Sequence, residues 1–177
     1  MELMIAVAIV GVLTTLAMFA YNKYIKGARS ANEVPAVLSE FQLREQQYAV
    51  EHNGFFLSTG ANEADKWPPA PSGSKMPTAI AGGPTSCTGS PAGTWCQLHI
   101  SLDKTELFCA YVAIAGAAND ASTIGADASG TFGMAPAPTQ NWYYVLAECD
   151  WDDDNALNEK WFVRSDIAGR QRVNPKK

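Results

Sequence analysis

An acidic run near the C-terminal end of the chain carries the residue types that bind a hard cation. In CDWDDDNALNE, the alternating Asp150, Asp152 and Asp154 resemble the opening ligands of a calcium loop, whose oxygens must converge on one ion. The run departs from that loop, because Asn155 replaces its glycine and Trp161 stands where its bidentate glutamate should be. Two interpretations stay open: a calcium site, which is the only cofactor that the sequence indicates, or an acidic turn with solvated carboxylates.

The chain has four cysteines, all in its C-terminal half: Cys87, Cys96, Cys109 and Cys149. No pair has CxxC spacing and no histidine cluster accompanies them, so a zinc site is not favoured. An even cysteine count favours two disulfides in an oxidising compartment. Three connectivities are possible, and the sequence alone does not fix them. We favour Cys87–Cys96, closing a loop onto the first predicted strand, and Cys109–Cys149, joining two strands.

The sequence contains none of the short motifs that carry familiar catalytic chemistry. GxSxG, HExxH, the phosphate-binding GxxxxGK and the dinucleotide glycine motif are all absent. His99 alternates with strand residues and is predicted to be a sheet-face side chain rather than a base. The net charge is −5 and the basic residues form no stripe, so nucleic acid is not expected as the main ligand. We therefore expect a protein that is not an enzyme.

The element that must position these residues begins at the N-terminus, with MELMIAVAIVGVLTTLAMFAY. No formal charge occurs over residues 3–20, a length that spans a hydrocarbon core as a helix. Beyond it, apolar residues recur at three-, four- and seven-residue steps and predict an amphipathic helix with one face against a domain. Pro35 is expected to kink this helix and Asn53-Gly54 to end it. A helix from Leu3 to about Asn53 is roughly 75 Å long. The apolar positions of the second half are Ala31, Val34, Leu38, Phe41 and Tyr48.

The remainder of the chain predicts an α+β head with an antiparallel sheet packed on the long helix. Residues 58–94 are rich in Gly, Pro, Ser and Thr and predict a long irregular connection. Four strand-like runs follow within about 95–165, with a short turn at 103–105 and a Gly/Ala-rich stretch for which no regular element is predicted. The chain thus divides into a hydrophobic transmembrane or core helix (1–22), an amphipathic half (23–53) and a globular head (54–177). The predicted strands are 95–102, 107–115, 142–149 and 160–164.

The charges that flank the apolar segment conflict with the disulfides. Lys23, Lys26 and Arg29 follow the segment, whereas Glu2 precedes it, and this bias would leave the head in the cytoplasm, where disulfides are reduced. Either the cysteines are thiols, or basic residues that belong before Met1 are missing from the sequence. The second interpretation explains both observations.

The stretch MELMIAVAIVGVLTTLAMFAYNKYI closely resembles the N-terminus of type IV pilins and of type II secretion pseudopilins. Met1-Glu2-Leu3-Met4-Ile5 matches the family from its fourth mature residue onward, and Gly11 falls on the family's glycine. Phe19 departs from the pattern, because it replaces the family's proline. The resemblance implies a pilin fold and a mature chain that begins three residues earlier, behind a basic leader cut by a prepilin peptidase, with a methylated first residue.

The resemblance also implies a function. Glu2 would pair with the N-terminal ammonium of a neighbouring subunit. A subunit in the wrong register would leave this charge unpaired in the apolar filament core, and the energetic cost would disfavour that register. The chain would be the structural subunit of a type IV pilus used in adhesion, motility or DNA uptake, assembled on an inner-membrane platform and stored in the bacterial inner membrane before it enters the extracellular fibre. The alternatives are a secretion pseudopilin, a minor tip pilin, or a single-pass sensor or binding module. Related pilins can carry an acidic turn comparable to the aspartate run, and some of these turns bind calcium.

Overall fold

The computed structural model describes residues 2–68, 76–77, 92–100, 102, 106–150 and 159–173. Its fold is α+β, as predicted: one long N-terminal helix is followed by a head with a four-stranded antiparallel sheet. Because the predicted turn at 103–105 lies outside the described residues, it stays a prediction.

Helix α1 spans Glu2–Glu51 without a break and carries Pro35 in its interior, so the predicted long helix is confirmed. It ends as the sequence indicates, because Asn53 and Gly54 both have positive φ angles, of 53° and 83°. The Gly54 N–H then donates to the Ala49 carbonyl at 2.7 Å, which satisfies one of the last helical acceptors. Fifty residues of helix are about 75 Å long.

Within the described part of the chain, no helix meets the length and apolarity needed to cross a membrane.

Three short elements precede the main sheet. Strand β1 (Met76–Pro77) pairs with β2 (Glu106–Leu107), and helix α2 covers Ala92–Gln97. The prediction of a strand over 95–102 is therefore wrong, because its described residues form the end of α2, a turn and irregular chain. Trp95 and Leu98 are three residues apart and both buried, so they share one face of a helical turn rather than alternate along a strand. His99, predicted on a sheet face, instead follows α2 with a φ of 54°.

The main sheet has the order β3-β4-β5-β6, with every pair antiparallel. The predictions for its first three strands are confirmed to within a residue or two, although the run predicted over 107–115 is divided between β2 and β3. The fourth strand was not predicted, because it is short and polar. The strands are β3 (Cys109–Gly116), β4 (Trp142–Cys149), β5 (Glu159–Arg164) and β6 (Gln171–Val173).

The sheet lies between two covering layers. On one face, side chains from the second half of α1, among them Val34, Leu38 and Phe41, pack with α2 and with every second residue of the strands. The other face is covered by residues 124–134, which contain a π-helical turn at Asp127–Thr131 and bury Phe132 against Phe162. Because both faces are covered, the residues of β4 are all buried.

The connection that follows α1 runs along the outer side of β3. Trp67 and Tyr111 exchange two backbone hydrogen bonds of 2.8 Å. The Thr59 N–H donates to the Ala113 carbonyl at 2.8 Å, and the Ala113 N–H donates to the Thr59 hydroxyl at the same distance. Of the predicted irregular connection (58–94), residues 58–68 are irregular as expected but tied to the sheet, whereas β1 and the first residues of α2 lie within the predicted range and are regular.

Candidate functional site

The N-terminal part of α1 presents apolar side chains that the head does not cover. Every residue from 4 to 18 is exposed. The exposed fraction is 79% for Met4, 72% for Val7 and 63% for Leu16. A continuous apolar surface of this kind is unusual on a monomer and marks a surface that another apolar body covers. We call residues 4–18 the apolar half of α1.

The few polar groups of the apolar half are satisfied within the helix. The Thr14 hydroxyl donates to the Val10 carbonyl at 2.7 Å, and the Thr15 hydroxyl donates to the Val12 carbonyl at 2.8 Å. These hydroxyls therefore project no unpaired donor, which lowers the cost of burying this surface. At Gly11, a side chain would meet nothing within 4 Å, so the glycine leaves a local gap in the apolar surface. Glu2 is the first residue of the helix, and its side chain lies outside the described part.

Two buried glutamates on α1 tie the helix to the head. Glu33, 2% exposed, accepts hydrogen bonds from the backbone N–H groups of Phe108 and Cys109 at 3.0 and 3.1 Å, and from the Tyr111 hydroxyl at 3.0 Å. Burial and the neighbouring Glu33 carboxylate both raise the pKa of the Tyr111 hydroxyl, which therefore stays a donor. This carboxylate satisfies the donors at the start of β3.

Glu45 is fully buried and has a single described partner. The Leu57 N–H donates to its Oε2 at 3.0 Å, while its Oε1 has no hydrogen-bond partner among the described residues. Burial raises the pKa of this carboxyl to about 8, although the Leu57 N–H acts in the opposite direction. Near neutral pH the buried group is therefore largely protonated and uncharged.

Neither Glu33 nor Glu45 was singled out from the sequence. A signal was present, because each of them lies four residues from a core position of α1. Glu33 precedes Val37 by four residues, and Glu45 follows Phe41 by four. Residues at this spacing share one face of a helix, and that face is the buried one.

The cysteines agree with the predicted pairing as far as the structure describes them. Cys109 and Cys149 form a disulfide between β3 and β4, where they are direct register partners. Both are fully buried. Cys96, in α2, is also disulfide-bonded. Cys87 lies outside the described residues, and its pairing with Cys96 stays a prediction.

The acidic run is described only at its first member. Asp150 directly follows β4 and is 1% exposed, so it is not a solvated carboxylate. Asp152 and Asp154 lie outside the described residues. Among the residues that the structure does describe, no group of three or more His, Cys, Asp or Glu side chains is placed to hold a metal ion. The calcium site therefore stays a prediction.

A second polar cluster, which the sequence did not indicate, lies where β4 and β5 meet the π-helical turn. Glu148, 2% exposed, pairs with Lys66 at 2.8 Å and with Lys160 at 3.2 Å. Lys160 also pairs with Asp127 at 2.5 Å. We call Lys66, Asp127, Glu148 and Lys160 the ion cluster. Its four charges sum to zero, and mutual pairing offsets much of the cost of their burial.

The π-helical turn is fixed in place by Glu63, which reaches it from the connection after α1. Its two carboxylate oxygens accept from the backbone N–H groups of Asp127 and Ala128, both at 2.9 Å. The Tyr144 hydroxyl donates to the same carboxylate at 3.2 Å. Glu63 therefore holds Asp127, and with it one end of the ion cluster, against the sheet.

Comparisons of the chain with protein families, with curated proteins and with solved structures find no match.

Proposed function

We propose that this chain is a structural subunit of a helical filament of the type IV pilus class, with the pilin fold that its N-terminus implies. The observation that carries the proposal is the apolar half of α1, which is exposed from residue 4 to residue 18 while the other half of the helix is packed on the head. In such a helix, only the apolar half still lacks an apolar partner. The apolar half of another copy of the chain offers a matching surface.

The geometry favours an open assembly. The apolar half lies at one end of a rod about 75 Å long, and the head covers the other end. Subunits that bury this rod against one another in a staggered order make heterologous contacts, and such contacts form fibres unless they close into a ring. The buried disulfide between β3 and β4 suits a head that is exposed outside the cell.

The proposal includes the cellular route that the resemblance implies. The chain is held in the bacterial inner membrane, processed by a prepilin peptidase, and assembled by an inner-membrane platform into an extracellular filament for adhesion, motility or DNA uptake. It turns over no substrate. Glu2 is the residue whose pairing with a neighbouring N-terminus sets the axial step between subunits.

The test is to shear cells that produce the chain, image the released fraction by electron microscopy, and measure the mature N-terminus of that fraction by intact mass. We expect thin filaments made mainly of this chain, with a methylated residue three positions before Met1. Short periplasmic assemblies that depend on a secretion system would assign the chain to the pseudopilins, and a trace component at filament tips would assign it to the minor pilins. An unprocessed monomer that enters no filament would overturn the proposal and favour a single-pass binding module.

A further inference from the structure

Three side chains of the ion cluster meet at one point of the head. Lys160 and Glu148 are direct register partners on β5 and β4, and Lys160 Nζ lies 3.2 Å from Glu148 Oε1. Asp127 reaches the same ammonium from the π-helical turn, with Oδ2 at 2.5 Å from Nζ. One amine therefore contacts two carboxyl groups, and one of these, on Glu148, is buried.

The surroundings orient each of the three groups. The Thr131 hydroxyl donates to Asp127 Oδ1 at 3.2 Å, which leaves Oδ2 directed at the amine. Lys66 holds Glu148 Oε2 at 2.8 Å, so that Oε1 is the oxygen that faces Lys160. The exposed fraction is 17% for the Lys160 side chain, 24% for Asp127 and 2% for Glu148.

We propose that Lys160 and Asp127 become joined by an intramolecular isopeptide bond, with Glu148 carrying the proton between them. The inference concerns the head alone and does not depend on the proposed filament.

The atoms balance without any co-reactant. Glu148 takes a proton from the Lys160 ammonium and delivers it to the Asp127 carboxyl. The freed lone pair of Nζ attacks Cγ of Asp127, so that a C–N bond forms. The bond from Cγ to Oδ2 then breaks, and Oδ2 leaves as water with two of the three ammonium protons. The third proton stays on the amide nitrogen, and Oδ1 becomes the amide oxygen that Thr131 already contacts.

The electrostatics explain why a proton carrier is needed. Burial alone would lower the pKa of Lys160, but its hydrogen bond to Asp127 and the charges of Glu148 and Asp127 outweigh burial and raise it. For Asp127, burial alone would raise the pKa, but Lys160, Thr131 and Glu148 lower it. The resting pair is therefore ionised, and the reactive neutral pair is its minor form. Because the bond forms only once per molecule, a minor form is sufficient.

Proximity lowers the barrier. Groups held in reacting contact have effective molarities of about 10⁵–10⁸ M, so a bond that forms very slowly between free molecules forms on an accessible timescale within one folded head. The reaction also removes both ion pairs of Lys160 and leaves Lys66 paired with Glu148.

The first measurement is the intact mass of the full chain, purified in mild detergent, then denatured and fully reduced. We expect a mass one water, about 18 Da, below that calculated for the reduced chain with the same N-terminus. After trypsin digestion, we expect a branched peptide that joins the segment containing Asp127 to the segment containing Lys160. Fragmentation locates the bond, and an amide between Lys66 and Glu148 in its place would overturn the proposal.

The matched control is K160R, which keeps the positive charge and the ion pair but has no primary amine. We expect K160R to have its full calculated mass and the near-UV circular dichroism of the folded head, with no branched peptide. E148Q removes the proton carrier, and its folded fraction is expected to keep the full mass.

The wild-type protein decides the question even if a variant fails to fold. A folded wild-type chain that keeps its full calculated mass after prolonged incubation overturns the proposal, as does a loss of water that persists in K160R.

Discussion

Glu45 on α1 accepts a hydrogen bond from the backbone N–H of Leu57 at 3.0 Å, across the bend that follows the helix. Its other carboxylate oxygen is buried without a partner among the described residues. The contact therefore joins the end of α1 to the first residues of the connection, and its strength depends on the charge of one carboxyl.

The pH dependence of folding should report this group. The pKa of Glu45 is about 8 in the folded chain, against 4.5 as its ordinary value. The folded chain therefore binds more protons than the unfolded chain between these two pH values, and stability falls as the pH rises through that window. A single proton gives a slope of about 1.4 kcal/mol per pH unit. Chemical denaturation from pH 5 to pH 8, followed by near-UV circular dichroism, measures it.

The variant E45Q is the control for this slope. An amide has nearly the same shape and does not titrate in this range, so we expect a flatter profile and a variant more stable than wild type at pH 8. Equal slopes for the two proteins would show that other groups cause the dependence.

Removing the buried Glu33 carboxylate should lower the free energy of unfolding more than removing an exposed glutamate of the same helix. E33A leaves buried donors of Phe108, Cys109 and Tyr111 without their acceptor, and each such donor costs about 1–3 kcal/mol. We expect a loss of at least about 2 kcal/mol in the free energy of unfolding, measured at pH 7. E51A is the matched control, because Glu51 is exposed at the end of the same helix and its removal should change stability by less than about 0.5 kcal/mol. Similar losses in both variants would contradict this role.

The disulfide between Cys109 and Cys149 should be a major source of stability. It joins residues 40 positions apart, and the chain-entropy estimate for a loop of this length is about 4 kcal/mol. We expect the double variant C109A/C149A to lose stability of this order in denaturant titrations. Because both cysteines are fully buried, reductant added to the folded chain should act only as fast as the head unfolds. Rapid reduction of the folded protein would refute this protection.

Filament formation should respond to charge on the apolar half of α1. Val7 is 72% exposed, so V7D leaves the head intact, but an assembled filament would have to bury an unpaired carboxylate at a cost of several kcal/mol. We expect the amount of sheared filaments to fall more than about tenfold, while the near-UV circular dichroism of the head stays unchanged. I167D is the control, because Ile167 is 47% exposed in the turn after β5 and far along the chain from α1. Filaments that tolerate V7D but not I167D would exclude the apolar half as the assembly surface.

Much of the fold was predictable because its strongest patterns are long. Helix α1 has a sustained apolar periodicity and a clear stop at Asn53-Gly54, and β4 is a strand buried on both faces. Residues 95–97 were misassigned because a short apolar run fits a strand and a helical turn equally well. Strand β6 was missed because its residues are polar, and it is held by pairing with β5 and by Arg172 lying over the Trp161 ring.

The polar clusters were less predictable, since they depend on contacts between distant parts of the chain. Lys66 and Lys160 are far apart in sequence, and both reach Glu148 because the connection after α1 runs along β3, the strand that pairs with β4. Asp127 lies in a Gly/Ala-rich stretch without periodicity, and its backbone N–H donates to the carboxylate of Glu63, which is distant in sequence. Chemistry assembled by tertiary packing leaves no local spacing in the sequence to detect.

The path of the connection along β3 has a consequence for how copies of the head meet. An open sheet can add strands from another copy at its edges, and this is how many β proteins aggregate. Here the β3 edge already bonds to Trp67 and Thr59, and the opposite edge is a three-residue strand that carries Arg172. Heads at high local concentration are therefore protected from pairing their sheet edges, and each head stays a separate folded unit.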